Sequence, residues 1–259
     1  MIPGNTPVGI FDSGVGGLSV VREIRRILPE QDLIYVSDAR YLPYGDRDAQ
    51  FVCERSLTIA SALIERGAGM LVVACNTATA AAAHVLRTRI KRPVVAIEPA
   101  VKPAAAVTRS GVIGVLATAG TLGSERYADL IRRYGQFTQV INQPCPGLVE
   151  CVESLPAGAI RARNLLERYV RPLVDAGVDT LVLGCTHYPF LSDMILEFTG
   201  PEVQLIDPGH AVAKRVASLL TEPASGGGRL QCYTSGNVGQ QQALMSRLLG
   251  TTVTVDPLS

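Results

Sequence analysis

Short, continuously apolar runs alternate with longer stretches of helical spacing along most of this chain. Eight runs have the length of buried strands, and they cover residues 8–11, 33–36, 70–74, 94–97, 112–116, 139–141, 180–183 and 203–206. Six stretches between them have helix-like spacing or composition, at residues 18–28, 50–66, 77–89, 124–134, 160–176 and 191–198. Strands that are apolar on both faces and alternate with helices are typical of α/β proteins with mainly parallel sheets.

The second half of this pattern repeats the first. Residues 70–77, Met-Leu-Val-Val-Ala-Cys-Asn-Thr, resemble residues 180–187, Thr-Leu-Val-Leu-Gly-Cys-Thr-His, which lie 110 positions later. Residues 94–100 resemble residues 203–209 at an offset of 109, and residues 9–14 echo residues 114–119 more weakly. General likeness between buried strands explains the apolar runs, but it does not explain why a cysteine and an acid-Pro pair recur. We predict two similar Rossmann-like α/β domains related by a pseudo-two-fold axis.

The residues after position 209 are too few for a third domain. They comprise a helix-like stretch at 211–221, a Gly-rich turn at 225–228, a strand at 230–234, and a last helix and strand. We expect this segment to return to the first half. The first domain is then residues 1–98 plus 210–259, and the second domain is residues 99–209.

Composition narrows the class of protein. Among 259 residues, 47% are hydrophobic, 18% are charged, and the net charge is +1, which is ordinary for a globular protein and argues against a basic nucleic-acid surface. Every apolar run is too short to span a membrane, and the first residues have no basic region of the kind that begins a signal peptide. We therefore expect a cytoplasmic protein with no nucleic-acid or membrane partner.

The six cysteines require separate interpretation. They lie at positions 53, 75, 145, 151, 185 and 232, and no two have C-x-x-C spacing. In a reducing compartment most free cysteines pack as small hydrophobic side chains. We expect this of the four other than Cys75 and Cys185.

Polar residues follow the predicted strands at the points where these end. The first strand is followed by Asp12 and Ser13, the third by Cys75, the fifth by Thr118, and the seventh by Cys185. Ligands of parallel α/β sheets bind at the carboxyl ends of the strands. Two pseudo-symmetric domains would bring these ends together, so we predict an active site in the interdomain cleft with one cysteine from each side.

Two opposed thiols suit inversion at an amino-acid α-carbon. The α-proton is very weakly acidic, and inversion requires its removal on one face and proton delivery on the other. A thiol has an ordinary pKa of about 8.5 and ionises readily beside a donor or a cation. One cysteine would act as thiolate and the other as thiol, with the roles exchanged in the reverse direction. We also expect a helix to begin just after each cysteine, because helix N-termini favour a thiolate and hold carboxylates.

These residues resemble the glutamate racemase family, within the aspartate/glutamate racemase superfamily. The resemblance covers nearly the whole chain. It is carried by Phe-Asp-Ser-Gly-Val-Gly-Gly-Leu at 11–18, Pro-Tyr-Gly at 43–45, Ala-Cys-Asn-Thr-Ala at 74–78 and Leu-Gly-Cys-Thr-His-Tyr-Pro at 183–189. It implies a racemase that interconverts L- and D-glutamate without pyridoxal phosphate, supplying D-glutamate for peptidoglycan synthesis, cell wall biogenesis and cell shape in bacterial cytoplasm.

The resemblance also assigns roles by position. It makes Cys75 and Cys185 the catalytic acid/base pair, assisted by Asp12, His187 and Glu153. The substrate-binding residues would be Asp12, Ser13, Tyr44, Gly45, Asn76, Thr77, Thr118, Thr186 and His187. One segment departs from the family's usual Gly-Asp-Thr-Ala-Arg, because residues 37–42 read Ser-Asp-Ala-Arg-Tyr-Leu.

Cofactor sites have weaker support. Residues 14–17, Gly-Val-Gly-Gly, lack the third glycine of a dinucleotide fingerprint and a following Walker lysine. Cys185 and His187 could supply half of a zinc site, but no second cluster of zinc-ligand spacing accompanies them. The three lysines do not lie at strand ends, as a pyridoxal phosphate site would require. Glu98 and Asp207, each before a proline, could be catalytic, but we expect them to end strands at the domain crossovers, since the residue before a proline is extended. We expect no cofactor and no metal.

Other functions remain open to test. An aspartate racemase of the same superfamily would differ in pocket size, which the sequence does not show. A thiol-based redox or metal-binding protein would use Cys75 and Cys185 as a pair, and a non-catalytic regulator would retain the scaffold alone. The oligomeric state is also open, with a homodimer among the options.

Overall fold

Residues 1–258 are described by a computed structural model. The chain divides into two compact units. The first comprises Met1–Ile97 together with the chain from Gly209 onward, and the second comprises Glu98–Pro208. Each unit contains one wholly parallel sheet with helices, as the alternating pattern predicts.

The first unit contains a six-stranded sheet in the order β10-β9-β2-β1-β3-β4. Its strands are β1 (Val8–Asp12), β2 (Leu33–Ser37), β3 (Met70–Val73), β4 (Val94–Ala96), β9 (Leu230–Thr234) and β10 (Val255–Pro257). Its α-helices are α1 (Leu18–Ile27), α2 (Ala49–Glu65), α3 (Asn76–Arg89), α10 (Gly209–Ala217) and α11 (Val238–Leu249). The C-terminal strands pair in parallel with each other and with β2, so the end of the chain extends this sheet.

Alternating side chains divide the first sheet into two faces. Phe11, Ile34 and Val36 belong to one hydrophobic cluster, which also contains Ile59 of α2 and Ala82 of α3. The residues between them in the strands point to the opposite face. This face contains Asp12, Tyr35 and Ser37, and all three are fully buried. The first sheet therefore has an apolar face and a face that becomes polar at the carboxyl ends of β1 and β2.

The second unit contains a four-stranded sheet in the order β6-β5-β7-β8. Its strands are β5 (Val112–Ala117), β6 (Gln139–Pro144), β7 (Thr180–Leu183) and β8 (Gln204–Ile206). Its α-helices are α4 (Val101–Val107), α5 (Ala119–Leu122), α6 (Glu125–Tyr134), α7 (Leu148–Glu153), α8 (Ala159–Asp175) and α9 (Ser192–Thr199). This order repeats β2-β1-β3-β4 of the first sheet strand for strand, so the sequence repeat has a counterpart in topology.

Three short helices were not predicted from the sequence. These are α4, α5 and α7, with seven, four and six residues. Each is shorter than the window over which helical periodicity can be recognised, and α4 contains Pro103. Within residues 1–258, no helix is both long and apolar enough to cross a membrane.

Candidate active site

Cys75 occupies the N-cap position of α3, just beyond the end of β3. Its backbone is extended, and its sulfur accepts a hydrogen bond from the backbone N–H of Ala78 at 3.4 Å. The side chain is buried, with 6% of the residue exposed. The positive end of the helix dipole and the N–H donor both favour a thiolate at this position. The predicted helix start after Cys75 is therefore confirmed.

Ser13 and Asp12 lie beside this thiol at the end of β1. The carboxylate Oδ1 of Asp12 accepts hydrogen bonds from the backbone N–H of Ser13 at 2.5 Å and from its hydroxyl at 3.1 Å. The Cys75 thiol is oriented to donate to the Ser13 Oγ, with the two atoms 3.9 Å apart. The structure thus brings three of the predicted site residues of the first unit into one connected group.

Asn76 supplies a buried amide next to the thiol. The residue is 4% exposed, and neither its Nδ2 nor its Oδ1 has a hydrogen-bond partner among residues 1–258. A buried amide without partners costs free energy, roughly 1–3 kcal/mol per group. Because Nδ2 donates and Oδ1 accepts, the amide could bind both a carboxylate oxygen and an ammonium group. Thr77, the next residue of the motif, is also buried.

Tyr44, one of the expected substrate-binding residues, has a buried hydroxyl that is bonded within the protein. It begins a 3-10 turn, Tyr44–Asp46, and its hydroxyl donates to Oδ2 of Asp38 at 2.5 Å. Arg55 binds both oxygens of the same carboxylate, at 2.8 and 3.0 Å. Burial and the neighbouring Asp38 raise the pKa of Tyr44 well above its ordinary value. The phenol anchors this turn, so the backbone of the turn, including Gly45, is the candidate for substrate contact.

Cys185 lies beyond the end of β7, at the position that Cys75 has beyond β3. Gly184, between the strand and the thiol, passes close to β5, and a Cβ there would lie 2.9 Å from the carbonyl oxygen of Leu116. Glycine therefore allows the chain to run close to β5 immediately before the thiol. Cys185 is 6% exposed.

No α-helix begins directly after Cys185, so the expectation of a helix N-terminus at both cysteines is wrong for this one. The chain makes a turn and then a 3-10 helix, Tyr188–Leu191, and α9 begins only at Ser192. Pro189 accounts for the difference: the Thr79 N–H, four residues after Cys75, donates to the Cys75 carbonyl at 2.8 Å, but Pro189 at the equivalent position has no N–H to donate. A thiolate at Cys185 would therefore need stabilisation from another group.

His187 provides that group. Its Nδ1 lies 3.7 Å from the Cys185 sulfur, and its Nε2 lies 2.8 Å from Oε1 of Glu153, at the end of α7. Burial alone would lower the pKa of His187, but the hydrogen bonds to Cys185 and Glu153 outweigh it and raise this pKa well above the usual value. An imidazolium donates from both nitrogens, which matches a thiolate on one side and a carboxylate on the other.

The threonines of the second unit occupy two kinds of position. Thr118 is the N-cap of α5 and accepts a hydrogen bond from the N–H of Thr121 at 3.2 Å. The two threonine hydroxyls are 3.0 Å apart, and Thr121 is 2% exposed. Thr186 is also buried, between Cys185 and His187. The Thr-x-x-Thr spacing just after a strand is a recognisable helix-cap signal in the sequence.

Two further titratable residues, Glu98 and His210, have ion-pair partners in the structure. Glu98 pairs with Arg126 of α6, and His210 pairs with Arg26 and Glu23. All six cysteines are free, and Cys145, Cys151 and Cys232 are buried while Cys53 is half-buried. In the described part of the chain, no group of three or more His, Cys, Asp and Glu residues is arranged to hold a metal ion.

Comparison with known proteins extends this picture. Residues 15–216 match the family model described as Asp/Glu/Hydantoin racemase. A glutamate racemase of Ectopseudomonas mendocina is 52% identical over 255 residues, which is 94% of this chain and 95% of that protein. The crystal structure of Escherichia coli glutamate racemase, in complex with L-glutamate and the activator UDP-MurNAc-Ala, has a TM-score of 0.89 at 35% identity and covers 100% of this chain and 99% of that one.

A likeness to aspartate racemases is limited to the fold. The aspartate racemase of Picrophilus torridus is 17% identical to this chain, with a TM-score of 0.54, and covers 82% of this chain and 93% of that one.

Proposed function

This chain belongs to the Asp/Glu/hydantoin racemase family and, within it, to the glutamate racemases, and from that premise we propose that Cys75 and Cys185 are its two acid/base groups. The enzyme is an isomerase that interconverts L- and D-glutamate without a cofactor. The observation that carries the assignment is the equivalent placement of the two buried thiols. Each follows the strand next to the central strand of its repeat, β3 beside β1 and β7 beside β5.

The reaction needs two groups because the proton leaves one face of the α-carbon and arrives on the other. In one direction the Cys185 thiolate takes the α-proton and becomes a thiol, leaving a planar carbanion. The Cys75 thiol then donates its proton to the opposite face and becomes a thiolate. The reverse direction exchanges the roles, so the enzyme must accept substrate with either thiol ionised.

Different groups lie next to the two thiols. Cys185 has the His187 imidazolium, which compensates a thiolate by charge and is itself held by Glu153. Cys75 has the helix N-terminus and the Ala78 N–H, with the Ser13 hydroxyl and the Asp12 carboxylate behind it. A carboxylate beside a thiol disfavours a second negative charge.

Substrate binding is proposed around these thiols. The Asn76 amide is buried and lacks a partner within residues 1–258, so a substrate that bonds both its atoms would recover the free energy that its burial costs. Ser13, the backbone at Tyr44 and Gly45, Thr77, Thr118, Thr186 and His187 complete the proposed set. The two-thiol reaction requires residues of both units to contact one glutamate molecule.

D-Glutamate, the product of the reaction from L-glutamate, is used in building the cell wall. D-Glutamate supplies peptidoglycan synthesis, which gives the enzyme its role in cell wall biogenesis and cell shape. We propose that it acts in the cytoplasm on free glutamate, because both thiols must stay reduced and a reducing compartment maintains them so. A homodimer stays a prediction, which light scattering of the purified enzyme would test.

Circular dichroism of the purified enzyme tests the proposed substrate directly. L-Glutamate, D-glutamate and L-aspartate are supplied separately, with no added pyridoxal phosphate, nucleotide or metal. Decay of the signal to zero from both glutamate enantiomers is the expected result. A constant glutamate signal together with a decaying aspartate signal would reassign the substrate. Constant signals throughout would favour a redox protein or a non-catalytic regulator.

A further inference from the structure

Tyr35 is a buried phenol that contacts the turn beside the Cys75 thiol. It lies in the middle of β2, is fully buried, and donates from its hydroxyl to the carbonyl oxygen of Gly14 at 2.5 Å. Gly14 directly follows Ser13, whose hydroxyl lies between the Asp12 carboxylate and the Cys75 sulfur. A side chain of the sheet thus holds the backbone next to a residue of the candidate active site.

The turn packs tightly against this phenol. A Cβ on Gly17 would lie 3.0 Å from the Tyr35 hydroxyl oxygen and 2.9 Å from the Cβ of Asp12, distances that real Cβ contacts rarely reach. The turn of residues 12–17 therefore lies directly on the ring edge of Tyr35. Any side chain larger than glycine at position 17 would push the turn and the phenol apart.

The far end of the turn is held separately from Gly14. It leads into α1, and the N-cap position of α1 is Gly17, which makes no side-chain capping bond within the described chain. Ser19 binds the Gly16 carbonyl at 2.9 Å, so it fixes the far end of the turn. At Gly14, the residue after Ser13, the hydrogen bond from the Tyr35 hydroxyl links the turn to β2.

We propose that Tyr35 is a positioning residue for the racemisation, whose hydroxyl holds the turn of residues 12–17 so that Ser13 stays against Cys75. The inference rests on the proposed function of Cys75. The network runs from the Tyr35 hydroxyl to the Gly14 carbonyl, through the backbone to Ser13, and from Ser13 to the thiol. Catalytic groups must be held to within a fraction of an ångström, and their supporting neighbours determine whether they are.

Tyr35→Phe removes the hydroxyl and leaves the ring in place. Tyr127→Phe is the matched control, because Tyr127 is also buried and also loses one hydrogen bond, to the side chain of Asn142 in the second unit. Both variants are assayed for glutamate racemisation. They are also treated with iodoacetamide, and the alkylation rates of Cys75 and Cys185 are measured separately by mass spectrometry of their peptides.

Tyr35→Phe should lower kcat/KM by about 10-fold. It should change the alkylation rate of Cys75 by about threefold or more, while the rate at Cys185 stays as in the wild type. Tyr127→Phe should change neither rate nor kcat/KM. An unchanged rate at Cys75, or equal changes at both thiols, would show that Tyr35 is merely structural and would overturn the proposal.

A double-mutant cycle tests whether Tyr35 affects Cys75 through Ser13. Ser13→Ala removes the hydroxyl that Tyr35 is proposed to position, so adding Tyr35→Phe to it should change the Cys75 alkylation rate no further. Fully additive effects would contradict the proposed route. If Tyr35→Phe fails to fold, Gly17→Ala displaces the same contact from the other side and should give the same Cys75-selective change.

These measurements separate the two proposals. Alkylation reports on the thiols without turnover, so it tests the Tyr35 contact even in a protein that does not act on glutamate. A wild-type enzyme that leaves glutamate unchanged would overturn the proposed function. A wild-type racemase whose Cys75 does not respond to Tyr35→Phe would overturn the positioning role alone.

Discussion

The carboxylate of Glu153 lies 2.8 Å from Nε2 of His187, and the other nitrogen of the same ring lies 3.7 Å from the Cys185 sulfur. His187 is buried, so neither partner is screened by solvent to any large extent. The pair makes the imidazolium, rather than the neutral ring, the stable form beside this thiol. Cys75, by comparison, occupies the N-cap of α3 and accepts from the Ala78 N–H, so the two thiols have different neighbours.

Glu153→Gln should move the alkaline limb of the pH–activity profile to lower pH. The mutation removes the carboxylate that helps to raise the pKa of His187, so the ring loses its proton at lower pH. Activity that depends on the imidazolium is present below this pKa and lost above it, and the limb should shift by about one pH unit. Glu150→Gln, in the same helix, should leave the profile in place. An unshifted limb in Glu153→Gln would contradict the role of this pair.

Cys75→Ala and Cys185→Ala should each lower kcat for racemisation by roughly 100- to 10 000-fold. Each removes the acid/base group from one face of the α-carbon. Cys232→Ala is the control, since Cys232 is equally buried, on β9, and should retain activity while losing on the order of 1 kcal/mol of stability. Circular dichroism in the far ultraviolet checks that all three variants fold. Near-normal turnover in either active-site variant would refute the two-thiol mechanism.

His187→Asn should perturb one direction of the reaction more than the other. The two enantiomers have equal free energies, so the equilibrium constant is one and kcat/KM must fall equally in both directions. The difference between the directions must therefore be measured by another quantity. It should appear as a larger α-deuterium isotope effect for the enantiomer whose α-proton Cys185 removes, because that step becomes slower. The measurement compares α-deuterated L- and D-glutamate in wild type and variant. Equal increases for the two enantiomers would count against an action of His187 through Cys185 alone.

The sequence predicts most of what positions the site, because the site lies at strand ends. Buried parallel strands are recognisable as continuous apolar runs, and Asp12, Cys75 and Cys185 follow such runs directly. The repeat of residues 70–77 at 180–187 predicts two similar α/β domains, and the order β6-β5-β7-β8, which repeats β2-β1-β3-β4 of the larger sheet, agrees with it.

Contacts between residues that are distant in sequence were not predictable in the same way. The binding of Tyr44 and Arg55 to Asp38 depends on how the loop after β2 packs against α2, which no local pattern specifies. The missing helix after Cys185 was predictable in principle, since Pro189 lies four residues beyond the cysteine. Because residues 180–187 resemble residues 70–77, a helix start was expected after Cys185 as it was after Cys75.

Asp179→Asn should destabilise the enzyme at neutral pH but not at acidic pH. Burial raises the pKa of Asp179, but hydrogen bonds from Thr108, Ser110, Arg109 and Thr180 outweigh it and lower this pKa to about 2. The stabilisation is therefore complete above the unfolded-state pKa, about 4, and is lost as the pH falls towards 2. Urea unfolding should show a deficit of about 1 kcal/mol at pH 7 that vanishes near pH 2. Asp175→Asn, at an exposed position, is the control, and a deficit independent of pH would contradict this assignment.

The most direct test of the two-thiol mechanism is the first turnover of the wild-type enzyme in D₂O, followed by proton NMR of the α-position. One thiol removes the substrate proton and the other delivers a deuteron drawn from solvent. The product enantiomer should therefore be deuterated from the start, while the remaining substrate initially keeps its α-proton. The same pattern should be found from L-glutamate and from D-glutamate. A product that retains the original α-proton would mean that a single group carries it between the faces, and would contradict the mechanism.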